Sequence, residues 1–118
     1  MNILLVGAGG FLGAITRYLF SLLIVPINNF PVATLVVNII GCLLAGIFFG
    51  SNIDNKESVY YFFSIGFLGS FTTMSAFALQ AIELHQSNQL FTSYSYILIT
   101  ILLTIIATIV GINISKQC

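Results

Sequence analysis

The chain has 118 residues, 58% of them hydrophobic and only 5% charged, with three acids against three bases. Soluble domains carry about a quarter charged residues, so this composition excludes a soluble globular chain. A net charge of zero also leaves no electrostatic footprint for nucleic acid. What remains is one integral membrane domain spanning 1–118.

Four apolar segments follow in order, roughly 2–25, 32–51, 58–82 and 93–115. Each reaches the ~20 residues that a helix needs to cross the hydrocarbon core. Met1 is followed by no basic n-region and no cleavage site, so the first segment is expected to stay as a span. Most of the charge lies between these segments, at Asp54, Lys56, Glu57 and Glu83, and the turn chemistry lies at Pro26–Pro31 (PINNFP), Ser51–Lys56 (SNIDNK) and His85–Gln89 (HQSNQ). Four spans place both termini on one side of the membrane. The predicted fold class is an all-α membrane protein of four transmembrane helices, with the third broken near its middle.

Every segment carries small or polar residues at three-to-four spacing. The first has Gly10, Gly13/Ala14, Arg17 and Ser21; the second has Thr34, Asn38, Gly41/Cys42 and Ala45. The third has Gly66, Gly69/Ser70, Thr73, Phe77 and Gln80; the fourth has Tyr96, Thr100, Thr104, Ala107/Thr108 and Gly111. Small residues let helices approach closely in lipid, which explains the Gly and Ala. Asn38, Arg17 and the hydroxyl cluster are expensive there without partners or water, so packing does not explain them. Gly7, Gly10 and Gly13 imitate a dinucleotide loop, but that fingerprint needs an acid about 20 residues on and further βαβ units. The first acid is Asp54, and another span follows instead.

The stretch Gly66–Phe77, GFLGSFTTMSAF, concentrates the anomaly. Thr72 and Thr73 directly follow Gly69-Ser70-Phe71, where helix propensity is poor. Irregular backbone at membrane depth is tolerated only where protein or a polar cavity surrounds it. This stretch therefore predicts a polar, ion-conducting feature.

Catalysis finds no footing. Asp54, Glu57 and Glu83 fall at helix ends or in loops, and Thr73 and Ser75 have no nearby His or Lys. His85 alone makes no metal site, and Cys42 and Cys118 lack ligand spacing. A proton-coupled exporter would want an acid inside a span. The donors at membrane depth are the Asn38 amide, the hydroxyls of Thr72, Thr73, Ser75, Thr100 and Thr104, and the Arg17 guanidinium. Phe77 adds a ring with a positive edge. A small anion shedding its water needs such groups, because an unpaired buried charge is very costly. A cation path would want a carboxylate ring or rows of carbonyls.

These residues resemble the small bacterial fluoride channels of the CrcB/Fluc family over essentially the whole chain. GGFLGAITRY (Gly9–Tyr18) is similar to the family's first-helix motif, and TLVVNIIGCLLAG (Thr34–Gly46) to its second. GFLGSFTTMSAF resembles its third-helix break, G-x-x-T-T-F-S-T-F, and Tyr96, Thr100 and Gly111 match a Tyr-x3-Ser pattern ending in Gly. The resemblance implies an antiparallel dual-topology dimer in the cell membrane, with two pores that passively export fluoride. It casts Asn38 as a pore amide, Phe77 as the second pore phenylalanine, and Thr73, Ser75 and Thr100 as hydroxyls along the path. It places Tyr96 in a hydrogen bond near the phenylalanines and Arg17 by a vestibule. Gly69 and Thr72 would offer backbone carbonyls to a structural sodium ion shared across the dimer. Two departures stand out. Met74 replaces the first pore phenylalanine, with Ala76 in place of Thr, so that pore is altered unless Met74 merely packs. Lys56 and Lys116 both lie on the side of the termini, which biases orientation and raises pairing with a homologous, oppositely oriented subunit. A non-conducting membrane subunit and a small secondary transporter are the competing classes.

Overall fold

The computed structural model describes residues 2–25, 27, 30–50 and 57–117. The whole SNIDNK loop, Ser51–Lys56 with Asp54 and Lys56, and Cys118 lie outside the described residues. Helix α1 is Asn2–Leu23 and α2 is Val32–Gly50. The third span is two helices, α3 over 57–71 and α4 over Met74–Gln86, and α5 is Leu90–Gln117. Four helical stretches are long and apolar enough to cross a membrane, and the protein is a multi-pass membrane protein. The 19 residues of α2, the shortest of them, already rise about 28 Å at 1.5 Å per residue, close to the hydrocarbon thickness.

The helices extend differently from the apolar runs. α1 ends two residues before 25, whereas the third span continues past 82 to Gln86 and α5 begins at Leu90 rather than 93. Hydropathy ends where polar residues begin, but a helix ends where its carbonyls find other donors. Here Ser87 N–H donates to Glu83 O, Asn88 N–H to His85 O and Gln89 N–H to Leu84 O. Asn88 takes the left-handed conformation, φ 62°, which asparagine tolerates better than most residues at a helix C-terminus. The third connection is thus a tight cap, not the five-residue loop His85–Gln89.

Two helix pairs make the frame, α1 with α3 and α2 with α5. Both meet backbone on backbone at glycine. A Cβ on Gly13 would collide with Phe67 O, and one on Gly66 would lie 2.7 Å from Val6 O and 3.0 Å from Gly9 Cα. In the other pair Gly46 sits on Thr108 O and Gly111 on Leu43 O. Lipid offers no hydrophobic drive for helices to associate, so van der Waals contact at this range and a few hydrogen bonds hold the pairs. Ser115 Oγ donating to Ile47 O at 2.7 Å is one such bond in the second pair.

Where α3 lies against α1 its winding is wider. Tyr60–Leu68 is π-helical, and Gly69 N–H reaches back five residues to Ser64 O as well as to Gly66 O. Phe63, Phe67 and Phe71 stack along this helix with ring centroids 5.8 and 5.6 Å apart. π-Helical turns are rare and concentrate at functional sites. The outward faces of α1 and α5, among them Phe11, Leu19, Leu98, Ile105 and Ile109, are exposed and apolar, as lipid contact requires.

Gly46→Val should lower thermal stability in detergent by about 1–3 kcal/mol, the scale of overpacking, because its added carbons meet the backbone of Thr108. Gly7→Ala, where nothing lies within 4 Å, should not lower the melting curve, since alanine is the better helix former.

Candidate functional site

The third span breaks at two residues. Thr72 (φ −79°, ψ 153°) and Thr73 (φ −147°, ψ 122°) are extended, between Phe71 and Met74. The stretch Gly69–Phe71, read from propensity as the weak point, is still helical. Arg17 gives the physical reason: its Nε–H donates to Ser70 O at 3.1 Å. A cation at the last carbonyls of a helix completes its C-terminus and opposes the dipole.

Asn38 holds the break. Thr73 N–H donates to its Oδ1 at 2.9 Å, and its Nδ2–H donates to Thr73 O at 3.2 Å. The side-chain amide thus pairs with Thr73 as a neighbouring strand would. Gly41, one turn further along α2, makes room for Thr72: a Cβ there would collide with Thr72 Cγ2. On the far side Thr73 is the N-cap of α4, its Oγ1 accepting from Ala76 N–H at 3.2 Å.

These bonds leave two carbonyls without their helical donors. Thr73 N–H, which would serve Gly69 O in a continuous helix, is taken by Asn38. Ala76 N–H, which would serve Thr72 O, is taken by Thr73 Oγ1. Gly69 is exposed on the surface of the chain. Both carbonyls are therefore able to meet a cation or another donor.

Two cavities flank the break and share Thr73. One, of about 240 Å³, is lined by Asn38, Thr72, Thr73, Met74, Phe77 and Thr100, with Cys42, Ile101 and Thr104. The other, of about 210 Å³, is lined by Arg17, Ser21, Thr34 and Gln80 besides apolar groups and Thr73. Among the described residues, no acidic side chain lines either one. Thr100 is 6% exposed, and its Oγ1 is a buried side-chain oxygen with no hydrogen-bond partner. Thr104 and Thr108 on the same helix direct their hydroxyls to Thr100 O and Thr104 O, at 2.7 and 2.9 Å.

The structure thus brings Asn38, Thr73, Met74, Phe77 and Thr100 to one cavity and places Arg17 at the other. Ser75 is exposed and touches the Thr73 hydroxyl at 3.3 Å. Tyr96 lines neither cavity: it is wholly buried, its ring 5.2 Å from Phe77 and 5.4 Å from Phe30, and its OH donates to Gln80 Oε1 at 3.0 Å. It supports Phe77 and Gln80 from behind. Met74 is 74% exposed, so within one chain it packs against little. The helix stripes already held Thr34, Cys42, Gln80 and Thr104, but nothing in their spacing separated cavity-lining positions from packing ones.

The profile of the family described as CrcB-like protein, Camphor Resistance (CrcB), matches residues 4–112. The chain is 43% identical to a protein of Azobacteroides pseudotrichonymphae genomovar. CFP2, covering 93% of this chain and 92% of that one. It is 42% identical to one of Flavobacterium psychrophilum over 98% of both, and 39% identical to one of Methanosarcina barkeri over 97% and 93%. The first two bear the name Fluoride-specific ion channel FluC, and the third Fluoride-specific ion channel FluC 1.

Replacing Asn38 tests the break. Asn38→Leu keeps much of the side chain's volume but orphans both groups of Thr73. Each orphan costs about 1–3 kcal/mol. Thermal unfolding in detergent should place Asn38→Leu clearly below wild type.

Proposed function

The chain belongs to the CrcB family, and from that premise we propose that it is a subunit of a fluoride-selective channel, not an enzyme, lowering cytoplasmic fluoride by passive export across the plasma membrane. The observation that carries this reading is a pair of cavities, lined by no acid among the described residues, meeting at a clamped helix break in the third span. Fluoride is small and strongly hydrated, so it enters protein only where donors replace its water. Arg17, with no acidic partner among the described residues, draws anions to one cavity. Asn38 uses one N–H of Nδ2 on Thr73 and has a second to offer. The hydroxyls of Thr73, Thr100 and Ser75 and the ring edge of Phe77 continue the series.

An antiparallel dimer of this chain completes the reading. Gly69, Met74 and Ser75 are exposed at the break, at membrane depth. Polar backbone and a hydroxyl facing hydrocarbon are disfavoured, and a second, inverted copy covers them with the same groups. The carbonyls of Gly69 and Thr72 suit a sodium ion between the copies, since their helical donors are diverted. Such an ion supplies the positive charge that facing carbonyl dipoles need. Met74 and the exposed Lys116 at the terminus side keep a second pairing in play, with a homologous subunit of opposite orientation.

Liposomes holding only the purified chain should release fluoride but not chloride, at a rate unaffected by collapsing an opposing proton gradient. Proton-linked, saturable flux would mark a transporter instead. Silence relieved by co-expression with a homologue would mark an obligate heterodimer, and silence with every partner a non-conducting subunit. Thr100→Val keeps the side chain's shape and removes its unpartnered hydroxyl. It should slow efflux about tenfold, the effect of losing a hydrogen bond to a charged group at about 1.5 kcal/mol, while leaving the dimer intact.

A further inference from the structure

A third cavity, of about 670 Å³, is larger than the two at the break. It lies toward the end of the bundle where α2 and α5 finish and α3 begins, and Ala45, Phe48, Tyr60, Ser64, Thr108 and Ile112 line it. Its walls are mostly rings and aliphatic groups, and the Ser64 hydroxyl makes no hydrogen bond among the described residues. Tyr94, at the other end of α5, has the complementary character. It is 58% exposed, its hydroxyl is also without a partner among the described residues, and the His85 ring packs edge-on against it, centroids 6.2 Å apart. Tyr94 stands about five turns of 3.6 residues before Ile112, so the two lie on one line along α5. Ile101, which lines the cavity at the break, falls on the same line about two turns after Tyr94.

Depth completes the match. Thr100 and Thr104 line the cavity at the break, so the level of the break on α5 falls between them, near Leu102. At 1.5 Å per residue Tyr94 lies about 12 Å to one side of that level, and Thr108 and Ile112 about 9 and 15 Å to the other. A twofold axis through the break, in the plane of the membrane, reverses depth but keeps position along the axis. An inverted copy therefore brings its Tyr94 to the depth of this cavity, on the line of α5 that borders it, and the contact is reciprocal, as in any twofold interface. We propose that each copy's Tyr94 seats in the other copy's cavity between α2, α3 and α5, anchoring the antiparallel dimer at two symmetric points. The proposal rests on the dimer reading above and adds the contact that holds it. A tyrosine suits the seat: its ring meets Phe48 and Tyr60, and its hydroxyl, which needs a partner once buried, finds Ser64. Lipid gives helices no hydrophobic drive to associate, so close fit and hydrogen bonding must hold the copies together.

The test reads association, not conduction. With p-benzoylphenylalanine at position 94 of the full chain in lipid vesicles, ultraviolet light should yield cross-linked dimers. Mass spectrometry should map the attachment to the peptides holding Phe48 or Tyr60 and Ser64. Within one chain the cavity stands roughly 20 Å from Tyr94 along α5, so such a link joins two copies. Tyr94→Ala should raise the dissociation constant of the dimer in lipid by roughly tenfold or more, since each dimer loses two anchors. Ala45 is exposed within one chain, so Ala45→Leu fills the cavity without disturbing the fold and should weaken the dimer as well. Tyr94→Ala in that background should add nothing further, because the same contact is lost only once. Links to lipid alone or to the partner's α5, a Tyr94→Ala dimer of wild-type strength, or a wild-type chain that stays monomeric would each overturn the contact. Dimers that link as described but pass no fluoride would overturn the channel reading and leave the contact standing.

Discussion

The two hydrogen bonds between the Asn38 amide and the backbone of Thr73 are the constraint on which the rest depends. Inside a bilayer a helix cannot simply stop, because each backbone group left unpaired costs several kcal/mol. Asn38 removes that cost at one residue by accepting from its N–H and donating to its carbonyl. Once Thr73 is held extended, its hydroxyl is free to cap α4. The price appears at Gly69 and Thr72, whose carbonyls lose the donors a continuous helix would have aimed at them. A break made in this way is polar on purpose, and polarity at that depth is what an ion needs.

The frame around the break is built to keep it in place. α1 lies against α3 through Gly13 and Gly66, and α2 against α5 through Gly46 and Gly111. Arg17 reaches from the first pair to the end of α3, and Asn38 reaches from the second pair to Thr73. Each half of the bundle thus contributes one polar side chain to the same four residues. The cavities lie on either side of this meeting point, one with the guanidinium and one with the hydroxyls and Phe77.

Hydropathy made the four spans legible because lipid leaves a helix few alternatives. The break was legible too, but only to within a few residues. Gly69-Ser70-Phe71 has poor propensity, yet stays helical because Arg17, far away in sequence, answers Ser70 O. The π-helical winding of Tyr60–Leu68 has no signature of its own in the sequence; it lies where α3 packs against the glycines of α1. Asn38 was legible as a polar residue that needs a partner, and Tyr96 as one that makes a hydrogen bond. Their partners, the Thr73 backbone and Gln80, are tertiary facts that no spacing contains.

The most direct test of this account is solid-state NMR of the chain in lipid bilayers, with 15N in the asparagine side chains and 13C in the threonines. The account predicts extended-backbone shifts for Thr73 and a short-range contact between Asn38 Nδ2 and the Thr73 carbonyl carbon. Helical shifts for Thr73 with no such contact would contradict it, because the third span would then run unbroken and both carbonyls would be spent within the helix.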